Sequence, residues 1–181
     1  SLHELCLYRA FKYLEIKNNC WKKATTDWVL VCDMDELLDI TEEDLKREDS
    51  LGKTIIKTEG YNMVNMKDDF DLAGIKNGSR CSPYDKSYCF KKKLIKEINY
   101  EPGCHNCQPI GLVKPSEKIY RLYHYKCINP DYQVARYKMY GERLSDENKK
   151  NRWGEHYLQG EEDIRQGYPM WRAGTIKVKE D

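Results

Sequence analysis

Five consecutive apolar residues, Trp28-Val-Leu-Val-Cys32, run straight into an acidic cluster, Asp33-Met-Asp-Glu36. A short apolar run with β-branched content reads as a strand buried on both faces. The carboxylates then fall where that strand leaves its sheet. Upstream, Leu2, Leu5, Ala10, Phe11 and Leu14 recur near a helical period and predict a helix over 1–17. Thr41-Glu-Glu-Asp44 carries the signature of a helix N-terminus, with a short charged helix over 41–49. Residues 53–57 predict a strand that continues, past Gly60, to Val64. The stretch 65–83, with three aspartates, Gly74, Gly78 and Pro83, reads as a long loop, a feature that often serves as a lid. Short strands are expected at 87–90 and 94–95 around a basic turn, and an aromatic strand at 118–125. Pro130 leads into a helix over about 131–147, with Val134, Tyr137, Met139 and Tyr140 on its buried side. From Tyr168 onward no period is clear.

Composition narrows the class. A chain of 181 residues fits a single domain, 1–181, with a real core. Lysine and arginine number 31 against 30 acidic residues, a net charge of +1. That balance argues against a nucleic-acid binder, which carries a basic domain or stripe. No apolar run approaches the ~18 residues of a membrane span, and no apolar leader is seen, so a cytoplasmic location is expected. Eight cysteines are many for such a chain. Cys104-His-Asn-Cys107, with Cys81 and Cys89, offers four thiolates, but the set contains only one short pair, which is thin support for structural zinc.

Candidate chemistry centres on Asp33 and Asp35. Two aspartates two apart at a strand end are placed to hold one divalent cation against a phosphate-bearing ligand, and open α/β folds bind ligands at that edge. Hard oxygen ligands of this kind suit Mg²⁺ or Mn²⁺. The plainer alternative is that these acids, Glu36 among them, only begin the next turn.

Further motifs follow in order: Asn18-Asn-Cys-Trp-Lys-Lys23, Gly60-Tyr-Asn-Met63, Tyr84-Asp-Lys86, Pro102-Gly-Cys-His105 and Tyr123-His-Tyr125. As an ordered set with the DxD, over roughly residues 14 to 160, they resemble small nucleotide-sugar glycosyltransferases of the GT-A fold, family-2-like, as in bacteria and large DNA viruses. The resemblance implies an α/β fold with a mixed central sheet flanked by helices. It implies a Mn²⁺ or Mg²⁺ cofactor, a nucleoside-diphosphate sugar donor and a glycan or glycoconjugate acceptor, with inversion at the anomeric carbon. Asp35 would bind the metal directly, with Asp33 reaching the ribose or the metal through water. His124 or His105 would complete the metal set, His124 being preferred and His105 facing acceptor or phosphate; His156 is a third candidate. Lys86 would meet the donor diphosphate, and Asp85 would take the acceptor proton, with Glu101 and Glu155 next in line. Such enzymes place a nucleotide-gripping half before the DxD. Here only 32 residues precede Asp33, so a short or missing N-terminal part is expected. Two other classes stay open: a non-catalytic nucleotide- or sugar-binding module, and a zinc-stabilised interaction domain.

Overall fold

The computed structural model describes residues 10–67 and 71–180, with side chains from Lys12 onward. The chain is mixed α/β: a mixed sheet flanked by helices. It divides into two compact units. The first comprises Leu14–Tyr61 and Arg80–His124; the second takes the described parts of 1–13, 62–79 and 125–181. Among the described residues, no helix is long and apolar enough to cross a membrane.

Helix α1 (Ala10–Asn19) ends in a 3-10 turn at Cys20–Lys23. The remainder of the helix expected over 1–17 lies outside the described residues. Two short strands follow, β1 (Trp28–Leu30) and β2 (Glu36–Leu38). Helix α2 (Glu42–Ser50) begins where the sequence predicts. Thr41 Oγ1 accepts from the Asp44 N–H, and the Asp44 carboxylate accepts from the Thr41 N–H, a reciprocal cap worth about 1 kcal/mol. Next come β3 (Ile55–Val64), β4 (Asn77–Arg80), a 3-10 turn at Ser82–Tyr84, β5 (Cys89–Lys91), β6 (Ile95–Glu97), β7 (Ile110–Gly111) and the long β8 (Pro115–Cys127).

In the first unit β5 lies between β1 and β3 and is antiparallel to both, with Val29 and Ile55 each opposite Phe90. β8 lies between β2 and β3 and is antiparallel to β2. Near the start of β3 and β8, the Thr54 N–H donates to the Lys114 carbonyl; near their ends, the Asn65 N–H donates to the Cys127 carbonyl. The two strands therefore run parallel, which makes the sheet mixed. β6 and β7 form a separate antiparallel pair.

The strand buried on both faces is β3, not β1. β3 is paired on either side and exposes only Lys57 of its ten residues. Among the described residues β1 pairs with β5 alone, and its burial alternates: Val29 is inside while Leu30 is 48% exposed. An apolar run cannot by itself distinguish these two situations. Around β3, Ile56, Tyr88, Phe90 and Leu122 are wholly buried, and Trp21 meets Phe90 edge-to-face at 5.1 Å. Each such side chain contributes about 1.5–3 kcal/mol by leaving water.

The second unit holds β4 against β9 (Ile176–Lys177), with helices α3 (Pro130–Glu142), α4 (Asp146–Lys150) and α5 (Glu161–Ala173). Its core includes Val64, Cys127 and Tyr168, with Trp171 packed against them. Helix α3 starts at Pro130 as expected, capped by the Asn129 side chain, but it stops at Glu142. It buries Gln133 and Tyr137 and leaves Met139 exposed. Where a long loop is expected over 65–83, β4 and the Ser82–Tyr84 turn are formed; residues 68–70 are outside the described set.

Candidate active site

The residues around Asp33 and Asp35 described next belong to the first unit. Residues 33–36 make a tight turn. The Glu36 N–H donates to the Asp33 carbonyl at 3.1 Å, and the Glu36 carboxylate accepts from the Asp33 N–H at 3.2 Å. Met34, at its tip, is fully exposed. Glu36 opens β2 directly opposite His124 of β8. Turn and register together bring Asp35 to His124, with Nε2 3.2 Å from Asp35 Oδ2. A one-residue slip of β2 on β8 would reverse the faces and separate the pair.

The carboxylates on either side of Asp35 have cations of their own. Lys17 of α1 meets Asp33 at 2.9 Å. Lys86 meets Glu36 at 2.7 Å, with their side chains only 2% and 1% exposed. The Tyr88 hydroxyl donates to the same Glu36 oxygen at 3.2 Å. The Lys86 ammonium also lies 4.6 Å from the centroids of both Tyr84 and Tyr88. An ammonium so deeply desolvated is held only by such partners. Lys86 is therefore inside the unit, not at a surface where a diphosphate would dock.

Tyr84 stacks on the His124 ring at 4.1 Å and 26°, and meets His105 edge-on at 5.3 Å. His105 Nδ1 is 2.8 Å from the Pro83 carbonyl. A carbonyl can only accept, so Nδ1 carries the proton. Burial, then the nearby Lys86 charge, hold the His105 imidazole below its ordinary value, so it is neutral at physiological pH. The segment bearing Tyr84 is strapped to β3 at Gly60. The Gly60 N–H donates to Asp85 Oδ1 at 2.8 Å, and the Cys81 N–H donates to the Gly60 carbonyl at 2.9 Å. A Cβ at Gly60 would lie 2.3 Å from the Tyr84 Cβ and 2.6 Å from the Tyr84 carbonyl carbon and oxygen, so only glycine fits. Asp85 Oδ2 takes the Arg80 guanidinium. Both Asp85 oxygens thus close the turn onto the strand.

The expected site residues Asp33, Asp35, Glu36, Lys86, His105 and His124 come together, although they span most of the unit's sequence. Glu101, the reserve base, accepts from Gln108 at 2.9 Å. In the second unit, Glu155 pairs with Arg152, and His156 packs on Tyr157 with ring centroids 4.0 Å apart. Two contributors escaped sequence reasoning: the ring of Tyr84 and the ammonium of Lys17. Tyr84 sits in the Tyr84-Asp-Lys86 motif, where the two charged residues carry the stronger chemical signal. Lys17 carries no local signal of its ion pair.

Does this geometry fit a divalent ion? Two ligands about 2.1 Å from an octahedral ion, in neighbouring positions, are about 3.0 Å apart. The Asp35–His124 separation of 3.2 Å is close to that. Among the described residues, no group of three or more His, Cys, Asp or Glu is disposed around one point. The same 3.2 Å is also the distance of a direct Asp–His ion pair, and a divalent ion held by these two atoms would have to complete its shell from elsewhere, as Mg²⁺ does with waters and substrate phosphates. The seven described cysteines are free thiols. Burial pushes Cys89 up to about 12 and Cys104 up to about 11, so both are neutral thiols in this structure.

Compared with protein families, curated proteins and solved structures, the chain finds no match.

Proposed function

We propose that this chain is a metal-dependent glycosyltransferase, moving a sugar from a nucleoside diphosphate to a glycan hydroxyl with inversion at the anomeric carbon. The observation that carries the reading is the Asp35–His124 pair, presented by a turn at the exit of β1 and set by the β2–β8 register. In this reading Asp35 and His124 hold Mn²⁺ or Mg²⁺. Such an ion offsets the negative charge that develops on a departing diphosphate. Asp33, tied to Lys17, lines the donor side of the turn, and Glu36, neutralised by Lys86, anchors the turn from beneath. His105 is a neutral imidazole beside Tyr84, and its Nε2 is free of a proton to accept from a hydroxyl.

The test is calorimetric titration of UDP- and GDP-sugars with Mn²⁺, for the wild-type chain and for Asp35→Asn. The substitution is nearly isosteric and removes one charge from the ion site. Mn²⁺-dependent donor affinity should vanish in a folded Asp35→Asn chain. Unchanged affinity would sink the assignment. Donor binding without hydrolysis or transfer of any nucleotide sugar would identify a binding module instead.

A further inference from the structure

We propose that Tyr84 is a positioning residue: its ring fixes the His124 imidazole so that Nε2 stays on Asp35. The proposal rests on the metal-site reading only for its consequence, not for its geometry.

The side chain of a strand histidine has two torsions, and His124 needs both set to keep one nitrogen at Asp35. The register supplies the first requirement, since it brings the His124 Cα opposite Glu36. Nothing in the register fixes the ring plane. Tyr84 does, by lying against that plane at 4.1 Å with only 26° between the rings. Rotation of the imidazole would drive it into the phenol.

Such a wall works only if it cannot move, and Tyr84 is held on several sides. The Tyr84 N–H donates to the Cys81 carbonyl at 2.9 Å. The side chain and carbonyl of Tyr84 press on Gly60, where no Cβ fits. Either side of Tyr84, the neighbouring residues are tied down: the Pro83 carbonyl accepts from His105, and the Asp85 carboxylate from Gly60. The buried Lys86 ammonium, itself fixed by Glu36, attracts the Tyr84 ring from 4.6 Å. Desolvated cation–ring contacts are among the stronger of their kind. A glycine, a buried ion pair and a second histidine thus converge on one tyrosine whose ring face lies against His124. Groups that orient metal ligands typically change affinity 10–100-fold when removed.

The experiment compares wild type with Tyr84→Phe, Tyr84→Leu and Tyr84→Met, using two readouts. The first, by NMR, is the set of nuclear Overhauser contacts from the His124 ring to Asp35 and residue 84, with the ring-current shift on the His124 protons. The second is Mn²⁺ affinity without any sugar. Wild type should show the ring-current shift and both contacts. Tyr84→Phe should keep them and bind Mn²⁺ within about threefold of wild type, because it retains the ring face that lies against His124. Tyr84→Leu should lose the His124–Asp35 contact and bind Mn²⁺ about 10–100-fold more weakly, while the Trp21–Phe90 core signals stay unchanged. Tyr84→Met serves where the leucine variant does not fold. A folded leucine or methionine variant with the His124–Asp35 contact intact overturns the proposal; so does a wild-type chain without the Tyr84–His124 contact. A wild type that shows the contacts but binds no Mn²⁺ refutes the metal reading and leaves the positioning role supported.

Discussion

Replacing Lys86 with methionine tests the energetics of the site most directly. Methionine keeps most of the aliphatic length and removes the charge. Glu36 would then be left with two neutral donors, the Tyr88 hydroxyl and the Asp33 N–H, both at 3.2 Å. Its carboxylate would still be about 1% exposed, with no cation beside it. Breaking one side of a buried ion pair costs about 3–5 kcal/mol, because the remaining charge is uncompensated. The two ring contacts of the ammonium, at 4.6 Å each, put the loss toward the upper end. Against a typical total stability of about 5–15 kcal/mol, this is a large share. At about 2–4 °C per kcal/mol for a chain of this size, the melting temperature should fall by roughly 6–20 °C. The double variant Glu36→Gln/Lys86→Met should recover most of the loss, because a neutral buried pair carries no such penalty. Urea titration of the four chains measures all of this as one cycle. Should Lys86→Met lie within about 1 kcal/mol of wild type, the reasoning about this buried pair is wrong.

Further outcomes follow from other contacts. His124→Ala should weaken Mn²⁺ binding more than His105→Ala, because His124 faces Asp35 directly whereas His105 packs on Tyr84; metal titration of both variants ranks them. Thr41→Val should cost about 1 kcal/mol at neutral pH by removing the α2 cap, read from chemical denaturation. Burial works against the Asp44 charge, but its bonds to Lys118 and Thr41 outweigh this and hold it at about 2, below its ordinary 3.8. That stabilisation is present above pH 3.8 and is lost as pH falls toward 2, so the Thr41→Val deficit should shrink over that window. Asp85→Asn should change stability by less than about 1 kcal/mol, since its ion pair with Arg80 is partly exposed. A steep fall in transfer rate at unchanged donor affinity would instead give Asp85 the role of proton acceptor.

Local chemistry made much of this fold legible. Thr41 and Asp44 are three residues apart, so their reciprocal cap is written in the chain, and α2 starts where it predicts. Asn129-Pro130 likewise announces α3. The aromatic alternation of 118–125 marks β8, and the acidic run Asp33–Glu36 marks the turn after β1. Features that depend on partners were not visible. β1 has the composition of a central strand, but pairing with β5 alone leaves Leu30 facing out. Helix α5 forms across Pro169, which lacks the amide hydrogen a helix interior uses. Packing of Tyr168 and Trp171, and the Arg172 guanidinium on the Asn65 and Lys67 carbonyls, compensate in a way that no 13-residue window reveals. Within the site, the types of residue were readable and their partnerships were not. Lys86 looks from sequence like a surface cation for phosphate, and only the fold buries it against Glu36, fifty positions away.

The approach of Tyr84 to Gly60 has a genetic consequence. The atoms that a Cβ at position 60 would strike include the carbonyl carbon and oxygen of Tyr84, which every amino acid carries. Shrinking residue 84, even to glycine, removes only the Cβ part of the conflict. A Gly60→Ala chain therefore has no compensating side-chain partner. In a selection for restored function, revertants should regain Gly60 itself, or alter the length of the segment from Arg80 to Lys86 so that its backbone crosses β3 elsewhere. Point substitutions at residue 84 should be missing among them. Position 60 would then stay glycine along any lineage that keeps this turn, while Met34, one turn tip away in the same unit and wholly exposed, is free to drift.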